Sequence, residues 1–175
     1  ANQPQEVTQE QINAMVEGLA QKLKENPNDV EGWAMLGRSY VNLRRYAEAS
    51  IAYARLTALV PNDAQLLADY ADVLAMKNGR SMKGEPEKLI IQALTIDPDN
   101  IKALALAGTA AFQRKSYNSA IEKWQKLLTL VPTESQIAAQ ISANISQTQG
   151  LIGQPLAAKK NGAGQSVAAS VSAAS

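Results

Sequence analysis

The hydrophobic positions of this chain recur every three or four residues over most of its length, which is the spacing of helices that bury one face. The clearest set is Trp33, Leu36, Gly37 and Tyr40, which stand at i, i+3, i+4 and i+7. Glycine in a helix interior costs roughly 1 kcal/mol relative to alanine. We therefore predict that Gly37 lets a second helix approach closely, with Ala49 as the small residue opposite it.

Four prolines divide the helical pattern into units of similar length. Pro27, Pro61, Pro98 and Pro132 are separated by 34, 37 and 34 residues. Each proline ends a helix because it lacks a backbone N–H, and a polar residue after it is suited to cap the next helix. A fixed period of this kind predicts stacked repeats, each a helix, a turn and a second helix packed on the first.

The pattern predicts an all-α solenoid of eight helices. The predicted segments are a loose N-terminus (1–7), a leading helix from a capping box at Thr8 to about Glu25, repeats at about 30–63, 64–100 and 101–134, a capping helix at 134–149, and a flexible linker or truncated start of a further domain at 150–175. The capping helix carries Ile137, Ile141 and Ile145 on an otherwise polar surface, as expected at the end of a solenoid.

The second repeat departs from the regular pattern. Three extra residues fall in the segment from Lys77 to Pro86, which also contains Gly79 and Gly84. Two glycines and a proline predict a long loop instead of a tight turn between helices. The second helix of this repeat is predicted at about 86–96.

The motif of the first repeat resembles the tetratricopeptide repeat, whose period is 34 residues. The resemblance is carried by Trp-x-x-Leu-Gly-x-x-Tyr at 33–40, followed by Ala49, Tyr53 and Pro61. It implies a solenoid of three helix-turn-helix repeats with flanking leading and capping helices. Its concave face would be lined by the first helix of each repeat.

In tetratricopeptide proteins the signature residues serve packing, and ligands contact other positions of the first helices. The resemblance therefore implies that the signature aromatic residues Trp33, Tyr40, Tyr53 and Trp124 lie in the core. The family's groove positions, carried over residue by residue, are Ala34, Arg38, Val41 and Asn42 in the first repeat, Ala68, Asp72, Ala75 and Met76 in the second, and Lys102, Ala105, Thr109, Phe112 and Gln113 in the third.

The residue types in this predicted groove suit a peptide, especially an amphipathic helix. Its alanines leave room, Phe112 and Met76 offer apolar contact, and Arg38, Asn42 and Lys102 offer hydrogen-bond donors. Arg38 and Lys102 are candidates for holding a terminal carboxylate, with ordinary solvated charges as the alternative.

The groove lacks part of the Lys, Asn and Arg set of the tetratricopeptide domains that clamp a carboxylate. Ala34 and Leu106 occupy positions where members of that set would stand. A clamp for chaperone tails is therefore not expected.

Composition removes several functional classes. The chain has no Cys and no His, which excludes thiol nucleophiles, imidazole acid–base catalysis and the usual zinc sites. Its paired carboxylates lie in predicted loops or helix ends, and its glycines form no phosphate-binding motif, so we expect neither an enzyme nor a cofactor. A net charge of +1 gives no electrostatic case for nucleic acid. No run of 18 apolar residues exists, so no membrane contact is expected of this fragment.

The irregular parts of the chain resemble one subgroup more closely. The loop at 78–86 with the helix after it, and the segment 103–112 with Tyr117 and Trp124, resemble the periplasmic tetratricopeptide domain of bacterial cytochrome c maturation proteins, the CcmI/CycH type and the related NrfG. The resemblance covers about residues 8–150.

This closer resemblance implies an apocytochrome c chaperone that binds the C-terminal, often helical, segment of apocytochrome c. It further implies work beside other subunits of the haem lyase complex, a periplasmic location, and a membrane anchor elsewhere in the full-length protein. It implies neither haem binding nor catalysis by this domain. A general tetratricopeptide scaffold in another bacterial assembly machinery is the alternative.

Overall fold

The computed structural model describes residues 7–153, and these form eight α-helices and no β-strand. The helices are α1 (Gln9–Glu25), α2 (Val30–Asn42), α3 (Tyr46–Leu59), α4 (Ala64–Lys77), α5 (Glu85–Ile96), α6 (Ile101–Gln113), α7 (Tyr117–Leu130) and α8 (Gln136–Ile152). Three pairs, α2/α3, α4/α5 and α6/α7, pack in sequence, with α1 against α2 and α8 against α7. The predicted all-α tetratricopeptide solenoid is confirmed. The predictions for 1–6 and 154–175 lie outside the described residues.

The helix starts follow the polar residues that come after the prolines. Asp29, Asp63 and Asn100 each accept a hydrogen bond from the backbone N–H three residues later, at 2.9, 3.0 and 2.8 Å. Thr8 forms the predicted capping box, since its side chain accepts from the N–H of Gln11 while the Gln11 side chain accepts from the N–H of Thr8. These bonds satisfy N–H groups that have no partner within their own helix.

The last helix starts later and ends later than the predicted 134–149. It spans Gln136–Ile152 and is capped by Ser135, whose side chain accepts from a backbone N–H at 3.3 Å. Gly150 lies within it and does not end it. Glycine inside a helix costs only about 1 kcal/mol, so a helix already held against its neighbour can pass through it.

The apolar stripe of this helix is shifted from the predicted one. Ile141 and Ile145 are buried as expected, but Ile137 is 36% exposed. Thr148 continues the stripe and is fully buried, with its hydroxyl donating to the carbonyl oxygen of Asn144 at 2.7 Å. The hydroxyl is satisfied within its own helix, which allows a polar residue to occupy a core position.

The close approach at Gly37 involves an aromatic ring. A Cβ added to Gly37 would lie 2.9 Å from Cε2 of Tyr53, so the neighbour is Tyr53 and not the predicted Ala49. Gly108 holds the same place in the third repeat, where an added Cβ would overlap the indole of Trp124. Glycine on the first helix thus makes room for a large ring on the second.

The signature aromatic residues are not equally buried. Tyr40, Tyr53 and Trp124 are 6%, 7% and 3% exposed, as predicted for the core. Trp33 is only partly buried, at the edge of the core cluster formed mainly by α1, α2 and α3, and its Nε1 donates to the carbonyl oxygen of Pro27 at 3.0 Å. Its polar edge thereby stays near solvent, which is common for tryptophan.

The predicted long loop of the second repeat is present. It joins Lys77 to Glu85, whereas the other two pairs are joined by three residues. Gly79 and Gly84 have φ angles of +66° and +89°, in the left-handed region that glycine adopts at little cost. Met82 is 6% exposed and anchors the loop in the core.

Candidate peptide-binding groove

The inner groove is defined here as the surface formed by α2, α4 and α6, the first helices of the three repeats. All but two of the predicted groove residues keep exposed surface on it. The exposed or partly exposed ones are Ala34, Arg38, Val41, Asn42, Asp72, Met76, Lys102, Ala105, Thr109, Phe112 and Gln113. Ala68 and Ala75 are the exceptions, at 0% and 1% exposure.

Ala68 and Ala75 pack in the core. Ala68 lies in a cluster with Ala93 and Ala103, which brings α4, α5 and α6 together. Ala75 packs in the cluster that holds Met82. Their small size serves close helix packing, so their predicted contact with a ligand is wrong.

Lys102 is paired within the protein. Its Nζ lies 2.8 Å from Oδ1 of Asp69 and 3.0 Å from Oδ2 of Asp72, which links α6 to α4. Burial alone would lower the pKa of Lys102, but the hydrogen bond to Asp69 and the charge of Asp72 outweigh it and the pKa is raised. Lys102 is therefore already paired within the protein and is not free to bind a terminal carboxylate.

The polar network around Lys102 includes residues outside the predicted groove set. The side-chain amide of Gln65 donates to Asp69 Oδ1 at 3.1 Å, and its oxygen accepts from Asn100 Nδ2 at 3.1 Å. Gln65, Asp69 and Asp72 stand at i, i+4 and i+7 on one face of α4. This spacing of polar residues on α4, together with a lysine one repeat later, is the sequence pattern that indicates such a network.

Gln113 holds the loop of the second repeat. Its Oε1 accepts from the N–H of Met82 at 2.9 Å, and its Nε2 donates to the carbonyl oxygen of Arg80 at 2.8 Å. Both ends of this amide are engaged with the backbone of the loop. The predicted groove residue is therefore a structural clasp for residues 78–84.

The Gln113→Ala variant is expected to loosen this loop while the repeats stay folded. The Met82 amide loses its acceptor and should exchange its hydrogen about tenfold faster, which corresponds to roughly 1.4 kcal/mol of lost local protection. Hydrogen–deuterium exchange followed by mass spectrometry measures this. The amides of α7 serve as the internal control, and unchanged exchange at Met82 would contradict the clasp.

Phe112 and Met76 differ as apolar contacts. The Phe112 ring lies 5.6 Å from the Tyr117 ring and 6.2 Å from the Trp124 ring, between centroids, so it is part of an aromatic cluster. Met76 keeps exposed surface and belongs to none of the core clusters of the described residues. Met76 is therefore the cleaner probe of ligand contact.

The free polar groups of the groove lie on α2. Arg38 is exposed and forms no ion pair with the residues that the structure describes, and Asn42 is exposed one turn further along. Lys102 and Gln113 on α6 are already engaged. The groove thus offers polar contacts from the first repeat and mainly apolar contacts from Met76 and Phe112.

Two clefts lie on the opposite face, between the second helices. A cleft of about 570 Å³ separates α3 from α5 and is lined by no charged side chain. One of about 330 Å³ separates α5 from α7, with Ile91 and Thr95 lining both. An open groove for a helix need not enclose volume, so these clefts do not argue against the inner groove. They are a second candidate surface.

The sequence matches the family model of the tetratricopeptide domain of cytochrome c-type biogenesis protein H over residues 1–138. The chain belongs to this family. It is 30% identical to the cytochrome c-type biogenesis protein CycH of Pseudomonas aeruginosa, over 79% of this chain and 34% of that protein. It is 33% identical to the formate-dependent nitrite reductase complex subunit NrfG of Escherichia coli O157:H7, over 70% of this chain and 62% of that one.

This cytochrome c biogenesis domain covers less than two thirds of these relatives' length. Solved structures with the same fold include the TPR2B domain of yeast Sti1 in a pHsp70 complex, with a TM-score of 0.61, 22% identity, and coverage of 70% of this chain and 97% of that one. Another is MamA, with a TM-score of 0.63, 16% identity, and coverage of 81% and 83%. Tetratricopeptide domains of this kind are protein-interaction modules.

Two further findings bear on chemistry within residues 7–153. This part of the chain has no group of three or more Asp or Glu side chains placed to hold a metal ion. None of its helices is both long enough and apolar enough to cross a membrane.

Proposed function

We propose that this domain binds the C-terminal segment of apocytochrome c in its inner groove and acts as an apocytochrome c chaperone. It would work in the periplasm beside other subunits of the haem lyase complex, without catalysing haem attachment itself. The observation that carries the proposal is the family match over residues 1–138. The name of CycH, a cytochrome c-type biogenesis protein, supports the same system.

The inner groove supports a helical ligand. Solenoids bind partners along the face formed by corresponding helices of successive repeats. An amphipathic helix places apolar side chains every three or four residues, and the partly exposed Met76 and Phe112 supply apolar contacts for them. The exposed Arg38 would pair with an acidic side chain or the terminal carboxylate of the peptide.

The pairing of Lys102 supports recognition of side chains over recognition of the chain end. A carboxylate clamp needs several free donors around one carboxylate, and Lys102 is bound to Asp69 and Asp72. Arg38 alone gives one charge-assisted contact. Amidation of the peptide's C-terminus is therefore expected to change its affinity by less than about threefold, or well under 1 kcal/mol.

Calorimetric titration with synthetic C-terminal peptides of the host's c-type cytochromes tests the proposal. Micromolar or tighter binding to one peptide is expected, with loss of binding when the peptide's last helix is removed. Met76→Ala and Arg38→Ala should each weaken binding about fivefold to tenfold, close to 1–1.4 kcal/mol. Ile91→Ala, on the outer clefts, is the matched control and should leave the affinity unchanged.

The outer clefts favour the alternative of a scaffold in another assembly machinery. Ile91 is 59% exposed and lines both clefts, so it presents an apolar side chain that a partner could cover. If Ile91→Ala weakens peptide binding while Met76→Ala and Arg38→Ala do not, the peptide binds outside the inner groove. Absence of binding to every cytochrome peptide would overturn the chaperone role.

A further inference from the structure

Tyr53 carries a hydroxyl that takes no part in the hydrogen bonds within residues 7–153. Its equivalent in the third repeat is Trp124, whose Nε1 donates to the carbonyl oxygen of Ala105 at 3.2 Å. The backbone carbonyl of Tyr53 accepts from Thr57, but its hydroxyl bonds to none of the described residues. Since no fully buried side-chain polar atom among them lacks a partner, this hydroxyl keeps access to the surface, although Tyr53 is only 7% exposed.

The ring of Tyr53 packs against α2, one of the three helices that form the inner groove. The ring is packed under Gly37, and its Cζ, which bears the hydroxyl, is 3.5 Å from where a Cβ of Gly37 would be. Arg38, which forms no ion pair with the residues that the structure describes, follows Gly37 on the same helix. The ring of Tyr53 therefore packs against the helix that supplies the polar part of the groove.

Electrostatics agree with this position. The pKa of Tyr53 is raised above its ordinary value, first by burial and then by the charge of Asp69, while Lys102 and Arg38 act in the opposite direction. Asp72 adds a smaller upward effect on the pKa. All four charges belong to α2, α4 and α6, the helices of the groove. The phenol stays protonated at neutral pH and acts as a donor.

We propose that the Tyr53 hydroxyl donates a hydrogen bond to an oxygen of the bound peptide and is a specificity-determining residue of the inner groove. This rests on the proposed function. A helix seated on the groove removes the remaining water from the hydroxyl, and a polar group left without a partner weakens binding. Peptides that place an oxygen acceptor there are thus selected over peptides that place an apolar side chain there.

The test compares Tyr53→Phe with Tyr40→Phe. Both variants lose one hydroxyl and keep a buried ring, since Tyr40 is 6% exposed. The charges that act on the pKa of Tyr40 lie away from the groove: Glu17 is on α1, Arg45 is in the turn between α2 and α3, and Glu48 is on α3. Tyr53→Phe should weaken binding of the cytochrome peptide about threefold to tenfold, whereas Tyr40→Phe should leave it unchanged.

Two peptide arms identify the acceptor. One peptide lacks its last residue, which displaces the terminal carboxylate, and a second set carries alanine in place of each Asp, Glu, Asn, Gln, Ser and Thr in turn, which removes each side-chain acceptor. The peptide for which Tyr53→Phe no longer lowers affinity has lost the acceptor. If the loss persists with every peptide, the acceptor is a backbone carbonyl oxygen.

Several results would overturn the inference. Equal affinity of Tyr53→Phe and wild type, or equal losses in Tyr53→Phe and Tyr40→Phe, would each do so while leaving the proposed function standing. Wild-type protein that binds no cytochrome peptide would overturn the proposed function and this inference together. If Tyr53→Phe also lowers thermal stability, the pH at which the tyrosines of the wild type ionise is compared with and without peptide. Saturating peptide should raise the ionisation pH of one tyrosine. An unchanged ionisation pH would contradict the hydrogen bond.

Discussion

The Trp124→Ala variant is expected to lose about 3–5 kcal/mol of unfolding free energy, as deletions of large buried aromatic side chains do. Trp124 is 3% exposed and lies in the cluster that joins α6, α7 and α8. Its indole fills the space above Gly108 and contacts the ring of Phe112. Alanine would leave a cavity that the neighbouring helices cannot fill without moving. Urea unfolding followed by circular dichroism measures the loss.

Trp33→Ala is the comparison. The sequence pattern alone assigns both tryptophans to the core and predicts equal losses. Trp33 is partly exposed at the edge of its cluster, so its removal should cost only about 1–2 kcal/mol. Equal losses for Trp33→Ala and Trp124→Ala would contradict the difference in burial.

The fold was predictable because its signals are local and recur. Pro27, Pro61 and Pro98 mark helix ends, and the caps Asp63 and Asn100 follow them within the same short segments. Each signal needs only a few neighbouring residues to act. A solenoid also requires contacts only between adjacent repeats, so correct local units assemble in chain order.

The groove was less predictable because its chemistry depends on contacts between repeats. In the sequence Lys102 has the properties of a free donor, and only the structure shows that Asp69, 33 residues earlier, lies beside it. Gln113 likewise meets the backbone of Met82, which belongs to an insertion that the regular repeat lacks. Position within a repeat predicts which face a residue occupies, but not whether a neighbouring repeat already uses its polar group.

Burial of small residues was missed for a related reason. Ala68 and Ala75 occupy positions that line the groove in the family pattern, yet α4 is packed so closely that both lose contact with solvent. In this middle repeat Ala71 and Ile90, both buried, take the places of Gly37 and Tyr53. A larger residue on the first helix is thus matched by a smaller residue on the second helix. One position considered alone does not show this.

The Gly108→Ala variant is expected to destabilise the protein by about 1–3 kcal/mol, although alanine favours helix. The added Cβ would overlap the indole of Trp124, which is too rigid and too buried to turn aside. The helices α6 and α7 would have to separate. Thermal and urea unfolding measure the effect.

Gly18→Ala and Gly37→Ala complete the series. Gly18 has no neighbouring atom within 4 Å of an added Cβ, so alanine there should raise stability by up to about 1 kcal/mol through helix propensity alone. At Gly37 the added Cβ lies 2.9 Å from the ring of Tyr53, a milder overlap than at Gly108. The expected order of stability is Gly18→Ala, wild type, Gly37→Ala and Gly108→Ala.

A double variant separates the ring overlap from any other effect of the Cβ. When Trp124→Ala has removed the indole, the clash at Gly108 no longer exists, and the helix preference of alanine should make Gly108→Ala neutral or stabilising. The two substitutions would then be strongly non-additive. If Gly108→Ala lowers the free energy of unfolding as much in the Trp124→Ala background as in the wild type, the loss arises elsewhere on α6 and not from overlap with the indole.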